Sequence, residues 1–145
     1  IWAIDVILFV HGAQTGIEFY DRFMNMSDFE IMVNSLQIKN KLRLVYSLAC
    51  YGSYHLDSFL RSGFNTAIGA KGLNVSAATE VPIFLPLWVQ GKQIKDVMQL
   101  ADNPIIRIAG DELSKAENKE DKASINSEKT IKGDKNLNIE TVAFG

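Results

Sequence analysis

Residues Ala3 to Val10, AIDVILFV, form an apolar run interrupted only by Asp5 and rich in β-branched side chains. Its length and composition predict a buried strand. The run stops at His11-Gly12; the loop GAQTG and a mixed aromatic stretch, IEFYDRFMNM, follow. Ser27 and Glu30 have the spacing of a capping box. Behind them Phe29, Met32, Val33 and Leu36 share one helical face, so a helix is expected from about Asp28 to Gln37. A second apolar run, Lys41 to Ala49, predicts another strand and ends at Cys50. Tyr51-Gly52-Ser53 reads as a turn that opens a helix to Ser62, with Leu56, Phe59 and Leu60 as its stripe and Gly63 as its stop. Asn65 to Gly69 is a short third strand, and Lys71 to Thr79 a loop of small residues. Two more helices are expected, Glu80 to Gln90 with a kink near Pro86 and Gln93 to Ala101 with Ile94, Val97 and Met98 inward. Strands separated by helices imply an α/β fold, its sheet mostly parallel and its crossovers right-handed. Such sheets carry their reactive groups at the carboxyl ends of the strands.

Composition narrows the picture. The 145 residues are 47% hydrophobic and 22% charged, which suits one globular domain with a real core. A net charge of −2 leaves no basic excess, so nucleic acid is not an expected partner. No apolar run is long enough to cross a membrane. The charge is uneven: 14 charged residues fall in 111–145 and 18 in the preceding 110. The division expected is therefore an α/β domain over 1–110 and a solvated tail or insertion over 111–145. A final strand near Leu137 to Phe144 is an option, and so is a processed linker. The chain begins at Ile1 with an apolar stretch already under way, from which removal of an upstream segment is expected. The compartment is left open.

The chemistry is concentrated at two strand ends. One gives Val10-His11-Gly12, the other Leu48-Ala49-Cys50, about 40 residues further on, room for one crossover. If the strands are parallel neighbours, an imidazole and a thiol emerge on one edge of the sheet. A free thiol, with a pKa of about 8.5, is mostly protonated at neutral pH. A nearby imidazole favours the thiolate, which can attack an acyl carbon, and the imidazole can then protonate the leaving amine. Gly12, without a Cβ, lets its N–H approach the developing oxyanion, and the Cys50 N–H is a second donor. One such donor is worth about 2.7–4 kcal/mol in the transition state.

The segments VILFVHG, Val6 to Gly12, and LRLVYSLACYGS, Leu42 to Ser53, resemble the caspase-like cysteine peptidases, the group of caspases, legumains, clostripains, gingipains and separases. The resemblance spans roughly residues 3 to 90 and implies a three-layer α/β/α sandwich with a mostly parallel sheet. It implies that Cys50 is the nucleophile, that His11 is the general acid or base, and that Gly12 helps form the oxyanion hole. Relatives read a charged or polar residue before the cut with an oppositely charged or polar side chain. Glu80 and Asp57 are the candidates here, each of them also explicable as a plain helix charge. The substrate implied is a peptide or protein, with no cofactor. Oligomeric state and residue preference are not determined.

Other residues have simpler explanations. His55 reads as a helix-surface histidine, and a metal site made of His11, His55 and Cys50 has no supporting spacing. Phe84 and Trp88 read as core. Two other functions compete with the peptidase. One is an inactive relative that keeps the scaffold as a binding domain. The other is an α/β-hydrolase-like esterase, whose elbow would be Leu48-Ala49-Cys50-Tyr51-Gly52. That fold requires a histidine well after the nucleophile, and none follows His55.

Overall fold

The structure, a computed structural model, describes residues 2–117, 121–141 and 143. A four-stranded sheet forms the centre, built from β1 (Ile4–Leu8), β5 (Leu42–Ser47), β6 (Thr66–Ala70) and β7 (Lys129–Gly133) in that order. β1–β5 and β5–β6 are parallel, and β6–β7 is antiparallel. The chain is thus α/β with a mixed, mostly parallel sheet. Between β1 and β5 lies a small antiparallel meander, β2 (His11–Ala13), β3 (Gly16–Phe19) and β4 (Arg22–Asn25). It occupies the stretch read as a loop and aromatic segment.

Helices cover both faces of the central sheet. Leu44, Tyr46 and Leu48 point to α3 (Ala77–Val89) and α4 (Ile94–Ala101), where Phe84, Trp88, Ile94 and Val97 complete one cluster. Val45, Ala49 and Ala67 point the other way, to Phe29 and Val33 of α1 (Met26–Ser35) and Leu56 and Phe59 of α2 (Leu56–Ser62). This alternation is what a strand buried on both faces requires. Phe29 and Phe59 meet edge to face at 5.3 Å between centroids. No helix among the described residues is long and apolar enough to cross a membrane.

Several local expectations change. α1 is capped by Asn25, whose Oδ1 accepts from the Asp28 N–H at 2.8 Å. Ser27 donates to that same oxygen, and Glu30 reaches Arg61, so no capping box forms. Phe29 and Val33 are buried as expected, but Met32 and Leu36 are exposed. α2 is preceded by a 3-10 turn over Gly52–His55 and stops at Gly63, whose φ is 116°. α3 begins at Ala77, so Pro82 as well as Pro86 lies inside it.

The charged segment departs furthest from a solvated tail. Residues 111–117 finish a helix, α5 (Pro104–Glu117), and 129–133 are the antiparallel strand β7. Leu137 is fully buried in the second cluster, and its carbonyl accepts from the Ile94 N–H at 2.7 Å. The strand considered near Leu137 to Phe144 does not form over 137–141, which is turn and irregular chain; 142, 144 and 145 lie outside the described residues. Arg43 fastens this end, pairing with Asp5 at 2.6 Å and donating to the Ile139 and Thr141 carbonyls.

Candidate functional site

β1 and β5 are parallel neighbours in register from Asp5–Leu44 to Leu8–Ser47. The ladder continues one step beyond, where the Leu48 N–H donates to the Leu8 carbonyl at 2.9 Å. Past that point the two chains leave the sheet together as Phe9-Val10-His11 and Leu48-Ala49-Cys50. His11 and Cys50 both line one cavity of about 220 Å³, with Phe9, Val10, Leu48, Asn74 and Ala77. His11 is exposed and Cys50 half-buried, so both are open to a ligand entering there.

The backbone around Cys50 is held tightly. Tyr51 takes a left-handed conformation, φ 58°, which turns the chain sharply from strand to 3-10 turn. Its N–H donates to the Gly72 carbonyl at 2.8 Å. Among the described residues no hydrogen bond from the Cys50 N–H is found. The Cys50 Sγ accepts a hydrogen bond from the Asn74 N–H at 3.3 Å.

Gly12 lies directly against this turn. A Cβ there would sit 2.8 Å from the Ala49 Cβ, and closer still to the Cys50 carbonyl oxygen. Glycine is therefore required simply to let β2 approach Cys50, besides any role of its N–H. His55 fixes the far end of the same strand. It is fully buried, and its Nε2 lies 2.6 Å from the Ala13 carbonyl. A carbonyl only accepts, so the proton sits on Nε2, while Nδ1 is buried without a partner. Burial holds the His55 pKa below its usual range, against the opposing pull of the Ala13 carbonyl. His55 is thus a buried clamp on β2, whereas its position ahead of a helix had suggested a surface residue.

The two acidic candidates for substrate recognition lie elsewhere. Glu80 is buried under the sheet, bound to the Lys129 ammonium at 2.8 Å and to the Tyr46 hydroxyl. Burial raises its pKa, with Lys129 and Tyr46 opposing. Asp57 is on the exposed face of α2, paired with Lys132, whose hydrogen bond lowers the Asp57 pKa. Neither lines the cavity of Cys50. The structure brings neither candidate to the site: one carboxylate is sealed in an ion pair, the other occupied at the surface. The acidic side chain that does adjoin the site is Glu18. It is opposite His11 in the β2–β3 ladder and lines a second cavity that shares Phe9, Val10 and His11 with the first. Its strand was not foreseen, so nothing in the sequence pointed to it. Among the described residues no cluster of side chains fit to hold a metal ion occurs. Phe84 and Trp88 are core residues, stacked at 6.2 Å.

Comparison with models of known protein families, with curated proteins and with solved structures gave no match.

Proposed function

We propose that this chain is a cysteine endopeptidase of the caspase-like kind, working through a Cys50–His11 dyad. The observation that carries the reading is the pairing of β1 and β5, which sends His11 and Cys50 to the wall of one cavity. The reaction follows from the groups at hand. The Cys50 thiolate attacks the carbonyl carbon of a peptide bond, and the oxyanion meets the Cys50 N–H and the Gly12 backbone beside it. The C–N bond breaks as the His11 imidazolium gives its proton to the departing amine, leaving a thioester on Cys50. His11, now neutral, takes a proton from water, the hydroxide equivalent cleaves the thioester, and the acid product leaves with the Cys50 thiolate and the His11 imidazolium restored.

The esterase reading has less support. His55 is the histidine that follows Cys50 in sequence, and its Nε2 is engaged by Ala13 in the interior. A test of the peptidase reading is labelling by a peptidyl acyloxymethyl ketone together with hydrolysis of a peptide library. Cys50→Ala should abolish both, and His11→Ala should lower turnover by at least about 100-fold. Hydrolysis that survives Cys50→Ala refutes the assignment.

A further inference from the structure

The Cys50 Sγ receives a hydrogen bond from a backbone N–H, that of Asn74. A donor aimed at sulfur favours the thiolate, provided that it is held there. Asn74 belongs to an irregular loop between β6 and α3, so its position is set by contacts rather than by a helix or sheet. Its own side chain supplies three of these contacts. Nδ2 donates to the Leu48 carbonyl at 3.1 Å, tying the loop to the strand end that carries Cys50. Oδ1 accepts from the Ser76 N–H at 3.1 Å and from the Lys129 Nζ at 3.2 Å.

Lys129 is an unusual partner. Its side chain is 1% exposed, and its ammonium has three acceptors: Glu80 Oε1 at 2.8 Å, the Ser127 carbonyl at 2.5 Å and Asn74 Oδ1. A buried ion pair is a poor way to gain stability, since an apolar pair of the same volume does as well. An ammonium with three fixed acceptors does specify one position for each of them. The segment leading into β7 adds to the hold. Ser124 O accepts from the Leu73 N–H at 2.7 Å, and Ser127 Oγ accepts from the Val75 N–H at 2.8 Å, one residue to either side of Asn74.

We propose that Asn74 is a positioning residue for the Cys50 nucleophile, and that Lys129, delivered by the C-terminal segment, is the buried cation that holds Asn74 in place. The inference rests on the reading of Cys50 as a nucleophile, and extends it to a chain segment remote in sequence. The groups that bear on the thiol are few. His11 on β2 is the other titratable side chain lining the cavity. Tyr51 follows Cys50 in the chain and its ring meets that of Tyr54, and Lys129, paired with Glu80, bonds the Asn74 side chain.

The test is the rate of Cys50 alkylation by iodoacetamide as a function of pH, measured on the full chain. Lys129→Met alone leaves Glu80 charged and unpaired, so the informative variant is Glu80→Gln with Lys129→Met, which removes both charges at nearly constant volume. Asn74→Ala is the second variant, and Lys132→Met, a surface lysine on the same strand, is the control. Alkylation at pH 7 should slow about three- to tenfold in both informative variants, with no change in the control. Circular dichroism establishes that the variants are folded. A purely structural role would lower the melting temperature and leave the pH profile where it was. Profiles of the folded variants that superimpose on the parent overturn the proposal. Because alkylation needs no peptide substrate, failure to cleave any peptide refutes the peptidase reading separately.

Discussion

Replacing Gly12 by alanine tests the close approach on which the site depends. Gly12 has no positive φ, so alanine is acceptable to the backbone itself. The difficulty is space. The new methyl would stand 2.8 Å from the Ala49 Cβ and nearer still to the Cys50 carbonyl oxygen. Carbon atoms in contact keep about 3.5–4.0 Å, so β2 and the Cys50 turn must separate by about 1 Å. Neither is free to yield. β2 is bonded to β3 from His11–Glu18 to Ala13–Gly16 and clamped by His55, while Tyr51 is anchored on Gly72. Overpacking of this kind costs about 1–3 kcal/mol. At about 3 °C per kcal/mol for a domain of this size, the melting temperature should fall by about 3–9 °C. A reacting pair displaced by about 1 Å loses about 100-fold in rate, so kcat/KM for a cleaved peptide should fall by that factor. Alanine keeps the backbone N–H, so the loss reports the position of His11 and not a missing oxyanion donor. Thermal denaturation and peptide hydrolysis read the two effects independently. A variant with the parent's melting temperature and turnover would show that β2 does not lie against Cys50.

Three further outcomes follow from the same packing. Gly69→Ala places a methyl 2.8 Å from the Gly52 Cα and closer to its carbonyl group, backbone against backbone, so the urea midpoint should drop by the equivalent of about 1–3 kcal/mol. Lys129→Met strands the Glu80 carboxylate in the interior and should cost about 3–5 kcal/mol in chemical denaturation, most of it recovered by adding Glu80→Gln. His55 is neutral in the fold because burial lowers its pKa, whereas the unfolded chain takes up a proton at about pH 6.5. The unfolded state therefore binds more protons below that pH, and stability is lost as the pH falls from about 6.5 through the folded value. His55→Gln keeps a donor for Ala13 without titrating, so its urea midpoint should vary less between pH 7 and 5.5 than the parent's; equal slopes would refute the neutral buried state.

The central strands could be read from the chain because their signal is local. A strand covered on both faces is an apolar run, and β5 and β6 are buried throughout; β1, equally apolar and expected to be buried, is an edge strand with its side chains half-buried and Ile7 exposed. A common edge for His11 and Cys50 was expected only if their strands are parallel neighbours, and the β1–β5 pairing meets that condition although a meander and a helix intervene in the chain. The meander was harder to see. Tyr20 and Phe23 are exposed, so the stretch shows no clean alternation between a wet and a dry face. α5 hid for a similar reason, its Ile105, Ile106 and Ile108 all being at the surface.

The amino-acid order alone thus determined where apolar runs end, and so which side chains stand at the mouth of the sheet. The charged residues were decided by the tertiary structure. Glu80 and Lys129 are 49 positions apart, and each looks like an ordinary surface charge until the other is brought beside it. Desolvation of a charge is offset only by a partner placed in three dimensions, and no spacing along the chain specifies that partner. The same holds for His55 and Ala13, and for the Asn74 N–H on Cys50. Each is a polar group whose burial was settled when distant segments closed over it.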